Sequence, residues 1–153
     1  MVSHTSIVDN LTGLVIFEIN NNEYCIDIND VSAIINPNEL EEGINLNPVE
    51  TKKIQVDELL IPIVDLYKFG GMGQVGLNLN KDTRILIIEI IDKKIGFFVD
   101  RIKEIITIDV EFRTNALKFL PEKENSYLIG KLKYEGRQLS FPDLNRIIAE
   151  SVN

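Results

Sequence analysis

The chain has 153 residues, enough for one ordinary domain or two small lobes sharing a core, and 44% of them are hydrophobic, which excludes wholesale disorder. Its 24 acidic residues against 16 basic ones give a formal charge of −8, and the basic pairs Lys52-Lys53 and Lys93-Lys94 stand apart, so no patch offsets that field for nucleic acid or for an anionic membrane. A single cysteine, Cys25, excludes an internal disulfide, and it sits in an apolar strand pattern as a small core residue.

The amino terminus, MVSHTSIVDNLTG, has no basic stretch followed by an apolar run, so it does not read as a secretory signal. No apolar run approaches the roughly 18 residues of a membrane span. The expectation is a soluble, cytoplasmic protein without direct membrane insertion. Residues 1–12 are expected to be loose.

Leu14 to Glu18 is β-branched and aromatic, Asn20-Asn21-Asn22-Glu23 is a turn signal, and Tyr24 to Ile28 alternates with period two. Together they predict a β-hairpin, followed by a short strand over Val31 to Ile35. Asn36 to Lys53 is polar and broken by Pro37, Gly43 and Pro48. Its charges Glu39, Glu41 and Glu42 fit a solvated loop or short turn. Leu59 to Leu66 is nearly all apolar and predicts a strand covered on both faces, with Pro62 at an edge or bulge. Gly70, Gly71, Gly73 and Gly76 mark a flexible connection.

Arg84 to Ile91 and Lys94 to Val99 predict a second hairpin around Asp92-Lys93, and Ile102 to Ile108 another strand. Val110 to Asn125 is mixed, with Pro121 before a charged stretch. Tyr127 to Tyr134 and Gln138 to Phe141 predict a third hairpin around Glu135-Gly136. Leu144, Ile147 and Ile148 have the spacing of one helix face, so a short helix opened by Pro142 is expected to close the chain.

The two halves echo each other. A shift of 71 positions lays YCIDINDVSAIIN, from Tyr24, on IGFFVDRIKEIIT, from Ile95, without a gap. VDLYKF, from Val64, is echoed by PDLNRI, from Pro142. A duplicated small β unit implies a two-lobed scaffold that presents surfaces. Short strands and tight turns in two copies suggest two small barrels.

Reactive chemistry has little support. His4 is the only histidine and lies on the expected loose terminus. The Gly70 cluster is followed by Gln74 and Val75, not by the Lys-Ser/Thr of a phosphate-binding loop. Asp65, Asp100 and Asp143 each follow an apolar strand and are read as caps on backbone amides. Tyr24, Tyr67, Tyr127 and Tyr134 are read as core or lobe-packing residues. No catalytic residue, metal ligand or cofactor site is assigned.

The segments LVIFEINNNEYCIDINDVSAI, LLIPIVDLYKFG, TRILIIE with IGFFVDRIKEI, and SYLIGKLKYEGRQLSFPDLNRII resemble, in order and spacing, the CheW family of bacterial chemotaxis coupling proteins. The resemblance runs from about Leu14 to Ile148. It implies a mainly β fold of two small SH3-like five-stranded barrel lobes with a short carboxy-terminal helix. The expected division is a single domain over 13–153, with lobe 1 at 14–69, a linker at 70–82, lobe 2 at 83–141 and the helix at 142–150. It also implies a non-enzymatic adaptor whose partners are the regulatory domain of a CheA-type histidine kinase and a methyl-accepting chemoreceptor tip. Recruitment to membrane-bound receptor arrays would follow.

The chain departs from the family pattern at two places. Ala33 stands at the glutamate of the V-x-E-I stretch. In QVDE, from Gln55, Asp57 stands at the arginine and Glu58 at the glycine of N-L-R-G. Removing one partner of a buried ion pair costs on the order of 3–5 kcal/mol, whereas losing both costs much less. The second segment lies in the family's contact region, so the sign reversal shifts the expected preference away from a standard receptor tip and towards the kinase domain. The resemblance makes Val31, Ala33, Asp57, Glu58, Leu60, Val99, Asp100 and Ile102 candidate partner-binding residues. For Val31, Leu60, Val99 and Ile102 alternation does not separate surface from core. Two other readings stay open on the residues alone: a nucleotide-binding module, and a self-associating structural protein that uses exposed strand edges.

Overall fold

The computed structural model describes residues 10–40, 46–48, 50–69, 72, 75–76, 78–111, 118–121 and 127–151. His4, Glu41, Glu42, Gly43, Gly70, Gly71 and Gly73 lie outside the described residues. The fold is mostly β. Strand β1 (Gly13–Ile19) turns into β2 (Asn22–Asp27), and β3 (Val31–Ile35) follows a 3-10 turn over Ile28–Asp30. The pair β4 (Lys53–Val56) and β5 (Leu59–Pro62) comes next. The second half repeats the plan with β6 (Arg84–Ile90), β7 (Lys93–Val99) and β8 (Arg101–Thr107). It ends with β9 (Lys118–Pro121), β10 (Leu128–Tyr134), β11 (Arg137–Pro142) and helix α1 (Leu144–Ser151).

Three hairpins close through two residues that both have positive φ. These are Asn20 (51°) with Asn21 (67°), Ile91 (47°) with Asp92 (63°), and Glu135 (50°) with Gly136 (74°). Such turns match the right-handed twist of the strands they join. The second falls one residue before the expected Asp92-Lys93, because the ladder runs on to the pair Ile90 and Lys93.

The repeat is visible in the elements. A shift of 71 carries Gly13–Ile19 onto Arg84–Ile90, and it places the shifted β2 and β3 within β7 and β8. The second echo holds as well. Asp65 Oδ1 accepts from Tyr67 N–H at 3.0 Å and caps the 3-10 turn Leu66–Lys68. Asp143 Oδ1 accepts from Arg146 N–H at 3.2 Å at the start of α1. The helix therefore opens on Asp143, and the expected opener, Pro142, ends β11 instead.

The sheets do not divide at the expected linker. The order is β8-β1-β2-β11-β10-β9 in one sheet, β3-β6-β7 in a second and β4-β5 in a third. The third strand of each repeat thus crosses to the first strand of the other: β3 pairs β6, and β8 pairs β1. Spans 14–69 and 83–141 each contribute strands to more than one sheet, so the expected lobes do not coincide with the sheets. Within span 70–82, Met72 is buried and Val75 packs against the core.

The exchange explains the continuous apolar runs in β1 and β6. Val15, Phe17 and Ile19 face the largest core cluster, while Leu14 and Ile16 face a second. Leu86 and Ile88 face the largest cluster, while Ile85 and Ile87 face a third. Both strands are covered on both faces, which removes the alternation of a half-solvated strand. The largest cluster joins the two bigger sheets; there Phe17 and Phe97 lie with ring centroids 5.6 Å apart. Leu144, Ile147 and Ile148 of α1 seal it. Gly13 permits β8 to close on β1: a Cβ there would lie 2.9 Å from the Ile106 carbonyl oxygen.

Leu59 to Leu66 behaves differently from expectation. The strand covers only Leu59–Pro62, and Leu59 and Leu60 are exposed. Its antiparallel partner β4 carries the weak pattern KIQV and was not anticipated. Pro62 does sit at the end of an edge strand, paired opposite Lys53. Beyond it Val64 N–H donates to Gly96 O at 2.8 Å, joining the β4–β5 pair to β7. Tyr24 and Tyr134 are buried, whereas Tyr67 is half exposed.

Candidate partner-binding surface

The eight candidate residues fall into three groups. Asp57 and Glu58 form the two-residue turn of the β4–β5 hairpin, with Asp57 at φ 54°, and Leu60 follows on β5. Both acidic residues are exposed. Leu60 is 61% exposed and its neighbour Leu59 53%, although successive side chains on a strand point to opposite faces. The tip therefore stands free on both sides. Ile54 and Ile61 anchor the same hairpin in the third core cluster.

Val31 and Ala33 lie on β3, an edge strand paired on one side with β6. Val31 packs partly buried against the largest cluster, and Ala33 partly buried against the third. The outward residues are Ser32 and Ile34.

Val99, Asp100 and Ile102 lie at the β7–β8 junction. Val99 is fully buried in the largest cluster, so it is a core residue and not a surface one. Its inward parity in β7, shared with Ile95 and Phe97, is the cause. Ile102 packs partly buried against the same cluster. Asp100 tethers backbone: Asn20 N–H donates to its Oδ2 at 2.6 Å, and Gly76 N–H to its Oδ1 at 3.4 Å. The structure thus does not bring all eight together.

Sequence reasoning missed two exposed isoleucines. Ile34 on β3 and Ile105 on β8 coincide under the shift of 71, and both point outward from equivalent edge strands. The repeat register carried that signal. Ile91, in the β6–β7 turn, is 86% exposed despite being β-branched with positive φ. It rims a shallow concavity of about 370 Å³ with Asp30, Val31, Glu89 and Asp92. Burial, reinforced by the charge of Asp27, pushes the Asp30 carboxyl up to about 6.

Burial alone pushes the Cys25 thiol far above its ordinary range, which leaves an inert core residue. Among the described residues no three His, Cys, Asp or Glu side chains converge on a metal position, and no helix is long and apolar enough to cross a membrane. Arg137 binds structure together: it meets Glu23 at 2.9 Å and Glu104 at 2.6 Å, tying β11 to β2 and β8.

A duplicated, strand-exchanged β scaffold with two accessible edge strands and a free apolar hairpin tip is a surface-presenting protein. The CheW-like domain profile matches residues 13–152, and the chain belongs to that family. Chemotaxis protein CheW of Bacillus subtilis (strain 168) is 23% identical over 135 residues, covering 88% of this chain and 85% of the relative. Chemotaxis protein CheW of Klebsiella aerogenes is 24% identical over 135 residues, covering 88% and 80%. The crystal structure of scaffolding protein TtCheW from Thermoanaerobacter tengcongensis superposes with a TM-score of 0.64 at 26% identity, covering 88% of this chain and 85% of that one.

Proposed function

We propose that this protein is a non-enzymatic scaffold of chemotaxis-type signalling that couples a CheA-type histidine kinase to chemoreceptors at their membrane-bound arrays, with its preference shifted towards the kinase regulatory domain. The free β4–β5 tip carries this reading. It places two carboxylates, Asp57 and Glu58, where the family pattern has an arginine and a glycine, and two exposed leucines directly after them. Reversing the sign of an interface charge changes which partner is tolerated.

Ala33 supports the same reading from the other side. It packs against a cluster that contains Ile54, Ile61, Ile85, Ile87 and Phe98. A glutamate there would set a carboxylate against apolar side chains, and Asp57 offers no cation to neutralise it. The alanine and the aspartate are therefore mutually consistent. Val31 and Ile102, partly buried on the two exchanged strands, contribute apolar contact.

The test is a binding titration of the chain against a CheA-type regulatory domain and, separately, a chemoreceptor tip helix pair. Kinase-domain binding is expected to be the tighter, and Asp57→Arg with Glu58→Gly is expected to move the balance towards the receptor. Tight receptor binding with no kinase binding would overturn the assignment.

A further inference from the structure

The β4–β5 hairpin carries complementary patches at its two ends. At one end Asp57 and Glu58 lead the exposed pair Leu59 and Leu60. At the other end lies a surface cavity of about 180 Å³. Pro48, Pro62, Ile63 and Phe69 give it apolar walls, and Lys52 and Lys68 give it cationic ones. Among the described residues none of Lys52, Lys68, Asp57 and Glu58 takes part in a side-chain ion pair. The cavity's own carboxylate, Asp65, is engaged in capping the Leu66–Lys68 turn. In a chain of net charge −8, two lysines against the one carboxylate of Asp65 leave the lining of this hollow with a net positive charge.

The tip cannot occupy its own cavity. Four residues of extended strand separate the two ends, roughly 13 Å at the rise of a β-strand, and the hairpin is held straight by its ladder. We propose that the acidic leucine tip of one copy docks into the lysine-walled cavity of a second copy. A leucine side chain fills the apolar part, and Asp57 and Glu58 meet Lys52 and Lys68 at the mouth. Both halves of this contact are on every chain, so it is heterologous: each copy offers a tip to one neighbour and a cavity to another. The contact is small and partly solvated, so association is weak and salt-sensitive. It engages the residues proposed above to meet the kinase, so self-docking and kinase binding through the tip exclude one another. It stands on the cavity and its charges, independently of that assignment.

Sedimentation equilibrium of the full chain across a concentration series tests it. The weight-average mass is expected to rise with concentration in low salt, and the rise to be lost in high salt. Asp57→Lys with Glu58→Lys reverses the tip, and Lys52→Glu with Lys68→Glu reverses the cavity. Each variant alone is expected to stay monomeric with an unchanged melting transition, and an equimolar mixture of the two is expected to regain the concentration dependence. A wild-type chain that stays monomeric throughout overturns the proposal. So does association that survives both reversals, or a mixture that fails to associate while both variants remain folded. Kinase-domain binding measured on dilute monomer reports on the proposed function separately.

Discussion

Ile91 is the residue whose conformation fits its identity least. It has positive φ in a two-residue turn and is 86% exposed, so it gains almost no burial from a backbone that asparagine or glycine would adopt with less strain. Ile91→Asn is expected to raise stability by about 1 kcal/mol, read as a higher urea midpoint at unchanged slope. If the isoleucine is kept for contact, the same variant will bind the kinase domain more weakly while folding more tightly. Asp30 makes a second test at this scale. Its carboxyl is held up at about 6 by burial first and by Asp27 second, against an ordinary value of 3.8. The folded chain therefore holds a proton that the unfolded chain has released between these two values. The stability contributed by the neutral acid is complete below the ordinary value and is lost as pH rises through about 6. Asp30→Asn should match the wild type in acid and exceed it at neutral pH, by on the order of 1 kcal/mol once solvent screening of a half-exposed group is allowed for. Denaturation curves at both ends of that window check it; an equal gain at all pH values would remove titration as the cause.

Hairpins were the elements most legible in the sequence, because each is a local object: two short strand-forming runs on either side of a brief polar turn. The β4–β5 hairpin was the exception, for two physical reasons. The β4 segment KIQV is too short and too polar to show a pattern, and the apolar run that follows it mixes two functions. Ile61, Val64 and Leu66 are apolar because they are buried, whereas Leu59 and Leu60 are apolar and exposed. Composition does not distinguish a core from a docking face. The same ambiguity placed Val99 among the surface candidates when its parity in β7 makes it core. Substitution separates the two kinds of leucine and isoleucine. Ile61→Ala should cost about 2–5 kcal/mol, since it opens a cavity beside Ile54 and Phe98. Leu60→Ser should stay within about 0.5 kcal/mol of the wild type, yet weaken partner binding. A Leu60→Ser chain that unfolds as readily as Ile61→Ala would show the tip to be structural.

The duplication was legible at the scale of the whole chain, but the pairing it leads to was not. The 71-residue shift announces two copies of a β1-β2-β3 unit, and the simplest inference is two lobes laid end to end. Nothing local in VSAII or RIKEIIT says that each pairs with the other copy, because a strand edge accepts any strand of suitable length and parity. The exchange has a consequence for folding. The β1–β8 ladder and the β3–β6 ladder both join residues from opposite halves, and the largest core cluster draws Phe17 from one half and Phe97 and Ile147 from the other. Cutting the chain at Gly76, which has no atom within 4 Å of an added Cβ, leaves each fragment with an unpaired third strand, β3 or β8, and an uncovered apolar face. Neither fragment is expected to unfold cooperatively on its own. Mixed at equal concentration, the two should recover a single transition and the near-ultraviolet signal of the packed aromatic pair. Two independent transitions, one from each fragment alone, would mean that the halves fold as separate lobes and that the exchanged ladders contribute little to stability.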